Sequence, residues 1–200
     1  MWSFAGLSKL KTDHNMSAAL VTIRSVVGRR LQDLRDALTT IPDWQTWRTC
    51  ALVYGLFLIV ALPTGLASRL VRPATASLTP VELIGSGLLL FLQPALAEEI
   101  VFRGLLLPRD ARSWPRRRLI PVAATALAVY VVSHPINAML FRPRVLSLFE
   151  STPYLLLTTL LGVTCTVTYL ISRSIWPPVA IHWLTVVMWI WLLGGQALLC

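Results

Sequence analysis

Charged residues are scarce in this sequence. They make up 14% of the 200 residues, whereas hydrophobic residues make up 56%. A soluble globular domain carries about 25% charged residues. The composition therefore excludes an ordinary soluble domain and indicates an integral membrane protein.

Cysteine and histidine are equally scarce, with three residues of each. Cys50, Cys165 and Cys200 show neither a disulfide framework nor a metal-binding spacing, so we interpret them as small hydrophobic residues. Basic residues outnumber acidic ones by 18 to nine, but they lie between apolar runs and form no known nucleic-acid motif. The expected partners are therefore a lipid bilayer and not a nucleic acid.

The apolar residues form five runs, each long enough for a helix to cross about 30 Å of hydrocarbon. The runs extend over about Ala51–Ala67, Val81–Leu107, Leu119–Phe141, Tyr154–Ser172 and Trp176–Leu199. The sequence therefore predicts an all-α fold, a polytopic transmembrane bundle of about five spanning helices.

Residues 17–41 have a different pattern, in which apolar residues recur every three or four positions. This stripe predicts an N-terminal amphipathic helix that either lies on the inner leaflet or packs on the body of the protein. The stripe comprises Leu20, Ile23, Val27, Leu31, Leu34, Leu38 and Ile41. We accordingly divide the chain into a cytoplasmic or interfacial segment, residues 1–48, and a transmembrane domain, residues 49–200.

The basic residues between the runs indicate the orientation. Thirteen lie before the first run or in the second and fourth loops, and four lie in the alternate loops. Because cytoplasmic loops carry the excess of lysine and arginine, we expect a multi-pass protein of a bacterial plasma membrane with its N-terminus in the cytoplasm.

Three charged residues lie together in the second run, in the stretch AEEIVFRG. Each costs roughly 2.5–3.5 kcal/mol at the centre of a bilayer, so such residues usually serve a function. Glu99 and Arg103 are four positions apart and can pair on one helix face. Glu98 lies about 100° further round and has no local partner, which suggests that it is the reactive group. Pro94 should kink the helix one turn earlier and so admit water.

Two histidines lie in other runs. His134 shares a helix face with Tyr130 in the third run, and His182 lies about one turn inside the membrane in the fifth. Polar groups in a membrane bundle face inward, so we expect Glu98, His134 and His182 to meet around a hydrated cavity.

The motifs EEIVFRG, YVVSH and IH, in this order, resemble the CAAX-processing type II endopeptidases. These belong to the CPBP or Abi family of intramembrane glutamic proteases, and the resemblance covers roughly residues 80–195. It implies a multi-pass endopeptidase that cleaves peptide or membrane-protein substrates without a cofactor. The paired-glutamate motif matches at Glu98, Glu99 and Arg103, and the aromatic–histidine motif at Tyr130 and His134.

The resemblance also implies a role for each residue. Glu98 takes a proton from water, His134 positions that water, and His182 donates to the developing oxyanion. Glu99 and Arg103 hold Glu98 in place. The family has an asparagine or aspartate four positions after its last histidine, where this chain has Val186. Thr185 is the nearest polar group and is expected, with Tyr130, to support the substrate or the oxyanion.

Three other functions remain open at the level of sequence. Glu98, His134 and His182 could bind catalytic zinc, although no HExxH helix is present. The chain could instead be a non-catalytic scaffold or immunity protein that retains the fold, which Val186 favours. A transporter or proton relay also uses membrane glutamates and histidines, but it usually has repeats that this chain lacks. Glu82 has no assigned role beyond capping or snorkelling at the outer boundary.

Overall fold

The computed structural model describes residues 24–199. Over these residues the chain is helical, and no β-strand is formed apart from one isolated bridge between Ala74 and Leu193. The predicted all-α fold is therefore confirmed. The predicted amphipathic helix is described only from residue 24, so Leu20 and Ile23 of its apolar stripe lie outside the described residues.

Six helices form the body of the protein. They are α1 (residues 24–39), α2 (Trp44–Ala67), α3 (Pro80–Leu105), α4 (Arg116–Phe141), α5 (Thr152–Ser172) and α6 (Trp176–Leu192). Short helical segments complete the described chain, at Ala111–Ser113, Pro143–Val145, Leu146–Phe149 and Gly195–Leu199.

Four of these helices, α2 to α5, are long and apolar enough to cross a membrane. Helix α6 is apolar but has 17 residues, which gives a length of about 25 Å. That length is at the short end of the spanning range. Helix α6 ends at Leu192, before the predicted limit of Leu199, because the chain turns through Gly194 at a φ of 77°.

Helix α2 begins earlier than the apolar run predicts. The side chain of Asp43 accepts a hydrogen bond of 2.8 Å from the Thr46 amide and so caps a helix that starts at Trp44. Hydrophobicity alone missed this polar first turn, since a capped helix extends beyond its apolar part.

Helix α3 has a defined start and a break. Thr79 and Glu82 form a capping box, in which a Glu82 carboxylate oxygen accepts hydrogen bonds of 2.8 Å from the Thr79 amide and hydroxyl. Glu82 therefore caps the helix, one of the two roles considered for it. Further along, Gln93 leaves the helical conformation, with φ −142° and ψ 116°, directly before Pro94. The predicted kink is confirmed.

Helix α1 is docked on the body by its C-terminal half. Ala37 is fully buried, the Trp176 indole donates to the Leu38 carbonyl at 2.9 Å, and the Ser174 hydroxyl donates to the Thr40 carbonyl at 2.7 Å. In the N-terminal half, Val27 is exposed. The C-terminal half of α1 therefore packs on the body of the protein, as one of the two interpretations expected.

Candidate active site

A buried ion pair lies near the C-terminal end of α3. Arg103 Nη1 donates to Glu99 Oε1 at 3.0 Å, and the two side chains are 1% and 0% exposed. The second guanidinium nitrogen, Nη2, donates to the Gly162 carbonyl of α5 at 2.8 Å. Because a buried charge is costly unless it is paired and hydrogen-bonded, these contacts stabilise Arg103 and fix α3 against α5.

Glu99 also binds a histidine from another helix. His182 Nδ1 lies 2.9 Å from the same oxygen, Glu99 Oε1, and the imidazole is 2% exposed. A carboxylate can only accept hydrogen bonds, so Nδ1 carries a hydrogen and donates it to Glu99. Glu99 thereby sets the orientation of His182 and leaves its Nε2 for other partners.

Glu98 lies between the two membrane histidines. Its Oε2 is 4.0 Å from Nε2 of His134 and 4.0 Å from Nε2 of His182. This oxygen is buried and has no hydrogen-bond partner among the described residues. The structure therefore brings together the three side chains that the sequence predicts to meet.

His134 is oriented from within its own helix. Its Nδ1 is 2.9 Å from the Tyr130 carbonyl oxygen. A carbonyl only accepts, so Nδ1 donates and Nε2 is the nitrogen that faces Glu98. Both histidines therefore direct Nε2 at the same carboxylate oxygen.

Tyr130 packs at the centre of the site. The Arg103 guanidinium carbon lies 4.5 Å from its ring centroid, a cation–π distance, and the His134 and His182 ring centroids lie 4.8 Å and 6.2 Å away. A Cβ atom on Gly162 would come within 2.9 Å of the Tyr130 ring. The missing side chain at Gly162 thus allows α5 to approach Tyr130 closely.

The predicted supporting residue Thr185 faces the same region. Its hydroxyl lies 2.8 Å from the Ile181 carbonyl and 3.2 Å from the Tyr54 hydroxyl of α2. Thr185, Val186 and Tyr54 all line the cavity that contains Glu98. A polar pair of hydroxyl groups therefore lies beside the position where the resembling family has an asparagine.

The cavity has a volume of about 470 Å³, within the range of small-molecule binding sites. Glu98, Tyr130, His134 and His182 line it together with mostly apolar side chains. Aromatic residues form part of its wall, and the Phe149 and Tyr154 ring centroids are 4.6 Å apart. A buried carboxylate and two histidines thus lie together in a largely apolar cavity.

A family model described as Type II CAAX prenyl endopeptidase Rce1-like matches residues 80–188, just over half of the chain. The chain belongs to this family. The matched region contains Glu98, Glu99, Arg103 and both histidines, whereas Tyr54 lies before it. Neither a search of curated proteins nor a search of solved structures found a match.

The chain is therefore an integral membrane protein of a protease family, since it belongs to this endopeptidase family and has four apolar helices of membrane-spanning length. Its environment is a lipid bilayer, and its family acts on peptide substrates. Among residues 24–199, no group of three or more histidine, cysteine, aspartate or glutamate side chains is arranged to hold a metal ion.

Sequence reasoning missed two contributors to this site. Tyr54 is an isolated polar residue in an apolar helix, and no pattern distinguished it from a packed aromatic residue. The Gly162 carbonyl belongs to the backbone of an uninterrupted helix, so its bond to Arg103 has no signature in the sequence. The capacity of Arg103 for more than one hydrogen bond was the only available signal.

Proposed function

We propose that this chain is an intramembrane endopeptidase in which Glu98 activates a water molecule for attack on a peptide bond. The observation that carries the proposal is the position of Glu98 Oε2. This buried oxygen has no protein partner among the described residues and lies 4.0 Å from Nε2 of both His134 and His182. A polar contact of that length suits a bridging water, which can reach all three atoms.

The reaction proceeds without a covalent enzyme intermediate. Glu98 takes a proton from the water, and the resulting hydroxide attacks the scissile carbonyl carbon. When the carbon–nitrogen bond breaks, Glu98 returns the proton to the leaving amine. The products are a new carboxylic acid and a new amine, which become a carboxylate and an ammonium group by transfer of one proton, and Glu98 is restored to its ionised form.

His182 stabilises the oxyanion that forms during attack. The Glu99 carboxylate holds Nδ1–H, so a protonated His182 presents Nε2–H to the cavity. One such donor contributes about 3–4 kcal/mol to the transition state in enzymes where this has been measured.

Thr185 and Tyr54 supply hydroxyl groups in place of the asparagine that the family resemblance leads one to expect. Both line the cavity, and their hydroxyl oxygens are 3.2 Å apart. A hydroxyl group can donate as well as accept, so this pair can bind either the attacking water or the substrate carbonyl. Val186 cannot take that role, since its side chain has no donor.

The test is peptide cleavage by the purified protein, with products identified by mass spectrometry. We expect the wild-type protein to cleave members of a library of apolar peptides, and Glu98→Gln to lower the rate by at least about 10²-fold, the lower range for loss of a general base. Glu82→Gln is the matched control, because it changes the same residue type in the same helix outside the cavity.

Equal cleavage by Glu98→Gln and wild type would overturn the assignment of the base. If neither protein cleaves any peptide, and cells with Glu98→Gln show the same phenotype as cells with the wild-type protein, the chain is a non-catalytic scaffold. Dialysis of the protein against a chelator before the same assay distinguishes a zinc-dependent protease from the proposed mechanism, and we expect activity to survive this treatment. The ligands of a tetrahedral zinc site lie roughly 3.4 Å apart, closer than the distances from Glu98 to the histidines.

A further inference from the structure

The two ends of the helix bundle differ in charge. One end, here called the basic end, comprises residues 24–43, 106–115 and 173–175. Contacts join these segments, since the Arg109 side chain donates to the Arg173 carbonyl at 3.1 Å and to the Thr40 hydroxyl at 2.8 Å. The described arginines at or next to this end are Arg24, Arg29, Arg30, Arg35, Arg48, Arg109, Arg112, Arg116, Arg117, Arg118 and Arg173.

The other end, here called the distal end, comprises residues 68–79, 142–151 and 193–199. The Arg72 amide donates to the Leu193 carbonyl at 3.0 Å, and the Trp189 indole donates to the Leu70 carbonyl at 2.7 Å. Only four of the described basic residues lie here, at Arg69, Arg72, Arg142 and Arg144. The excess of arginine marks the basic end as the cytoplasmic one.

The cavity extends from Glu98 and His182 towards the distal end. The distal-end residues that line it are Leu70, Val71, Arg142, Phe149, Leu193 and Leu199. No residue of the three basic-end segments, over the part of the chain that the structure describes, is among its lining residues.

A hydrophobic cluster closes the basic end. Ala37, Leu107, Tyr169 and Ile175 are each fully buried in one cluster, which also contains Val179, one turn before His182. A peptide could reach Glu98 from this end only by displacing that cluster. At the distal end, Arg142 is exposed and lines the cavity, so the cavity reaches the protein surface there.

We propose that the cavity opens at the extracytoplasmic end of the bundle, and that its substrate is a peptide segment presented from that side of the membrane. This inference rests on the proposed function for the nature of the substrate, but the side of access is independent of it. The substrate is then an extracytoplasmic loop or chain end and not a tail in the cytoplasm.

The test is labelling of single cysteines with a charged, membrane-impermeant maleimide. In a Cys200→Ser parent, Cys50 and Cys165 remain because both are buried. Arg142→Cys places a thiol at the distal end, and Arg112→Cys is its matched control, an exposed arginine at the basic end. Asn137→Cys reports on the cavity itself, since Asn137 lines it and is exposed.

In right-side-out vesicles we expect at least about tenfold more label on Arg142→Cys and Asn137→Cys than on Arg112→Cys, and the reverse in inverted vesicles. The proposal would be overturned if Asn137→Cys were labelled only in inverted vesicles, as Arg112→Cys is. The same experiment distinguishes failure of the proposed peptidase activity from failure of the proposed access route. If Asn137→Cys is labelled from outside but no peptide is cleaved, the access route stands and the proposed function falls.

Discussion

At the scale of single residues, the two adjacent glutamates have different surroundings. Glu99 is fully buried and bound by Arg103 and His182, whereas Glu98 faces the cavity. The sequence predicted the pairing of Glu99 with Arg103 from their spacing of four. It did not predict the contact between Glu99 and His182, because that contact depends on how α3 and α6 pack.

Arg103→Met tests the buried ion pair. The substitution leaves Glu99 without its cation and the Gly162 carbonyl without its donor, so we expect a loss of about 3–5 kcal/mol of stability and loss of cleavage. Thermal unfolding in detergent measures the first, and the peptide assay the second. In the double variant with Glu99→Gln, much of the stability should return but not the activity. A single variant that unfolds at the wild-type temperature would contradict this account.

Val186→Asn tests the replacement of the family asparagine. Val186 lines the cavity, so an amide there adds a donor near the developing oxyanion. We expect kcat to rise by up to about tenfold, because single oxyanion donors are worth that much or more. Val186→Leu is the control, since it alters size without adding a donor. A decrease in kcat for Val186→Asn beyond that of Val186→Leu would show that the position does not face the reacting carbonyl.

At the scale of helices, the close approach of α4 and α5 positions the site. Gly162 permits this approach, because a Cβ atom there would meet Leu127 at 2.6 Å and the Tyr130 ring at 2.9 Å. Tyr130 in turn contacts both histidines and Arg103. A small residue on α5 therefore permits the packing of Tyr130 against candidate site residues on α3, α4 and α6.

Gly162→Ala should displace the Tyr130 ring and lower kcat by about tenfold, since misplacement of catalytic groups by about 1 Å can cost more than that. The peptide assay measures this effect, with a thermal melt to show that the variant is folded. Gly85→Ala is the matched control, because a Cβ at Gly85 meets nothing within 4 Å. Equal losses in both variants would indicate a general effect of the glycine substitution and not a displaced ring.

The sequence predicted which segments form helices more accurately than it predicted where those helices begin and end. Long apolar runs predicted the spanning helices, because lipid requires a continuous apolar segment with all backbone hydrogen bonds made internally. The start of α2 at Trp44 was missed, since it depends on the Asp43 cap. The division of the chain at residue 48 remains a prediction, although it falls inside α2.

At the scale of the whole molecule, the helices bring to one point residues that the sequence placed at different depths. Counting along each run puts Glu98, His134 and His182 at roughly 15, 22 and 9 Å from the inner boundary. In the structure each histidine is 4.0 Å from Glu98. The count measures distance along a helix axis and not height in the bundle, so unequal counts are compatible with one meeting point.

The fold also explains why the N-terminal segment could not be assigned from its pattern. An amphipathic stripe has the same form whether it faces lipid or protein, so both interpretations remained open. The structure assigns only part of the stripe. Leu34 packs against Gly104, where an added Cβ atom would lie 2.5 Å from the Leu34 side chain, whereas Val27 and Leu31 are exposed.

The most direct test of the central claim is an experimental structure with a phosphinic peptide, whose tetrahedral phosphorus centre mimics hydrated carbonyl carbon. We predict that its two oxygens lie within about 3 Å of Glu98 and of Nε2 of His182, with His134 beside them. A phosphinate bound elsewhere in the cavity, or a structure in which either histidine points away from Glu98, would contradict the hydrolytic mechanism.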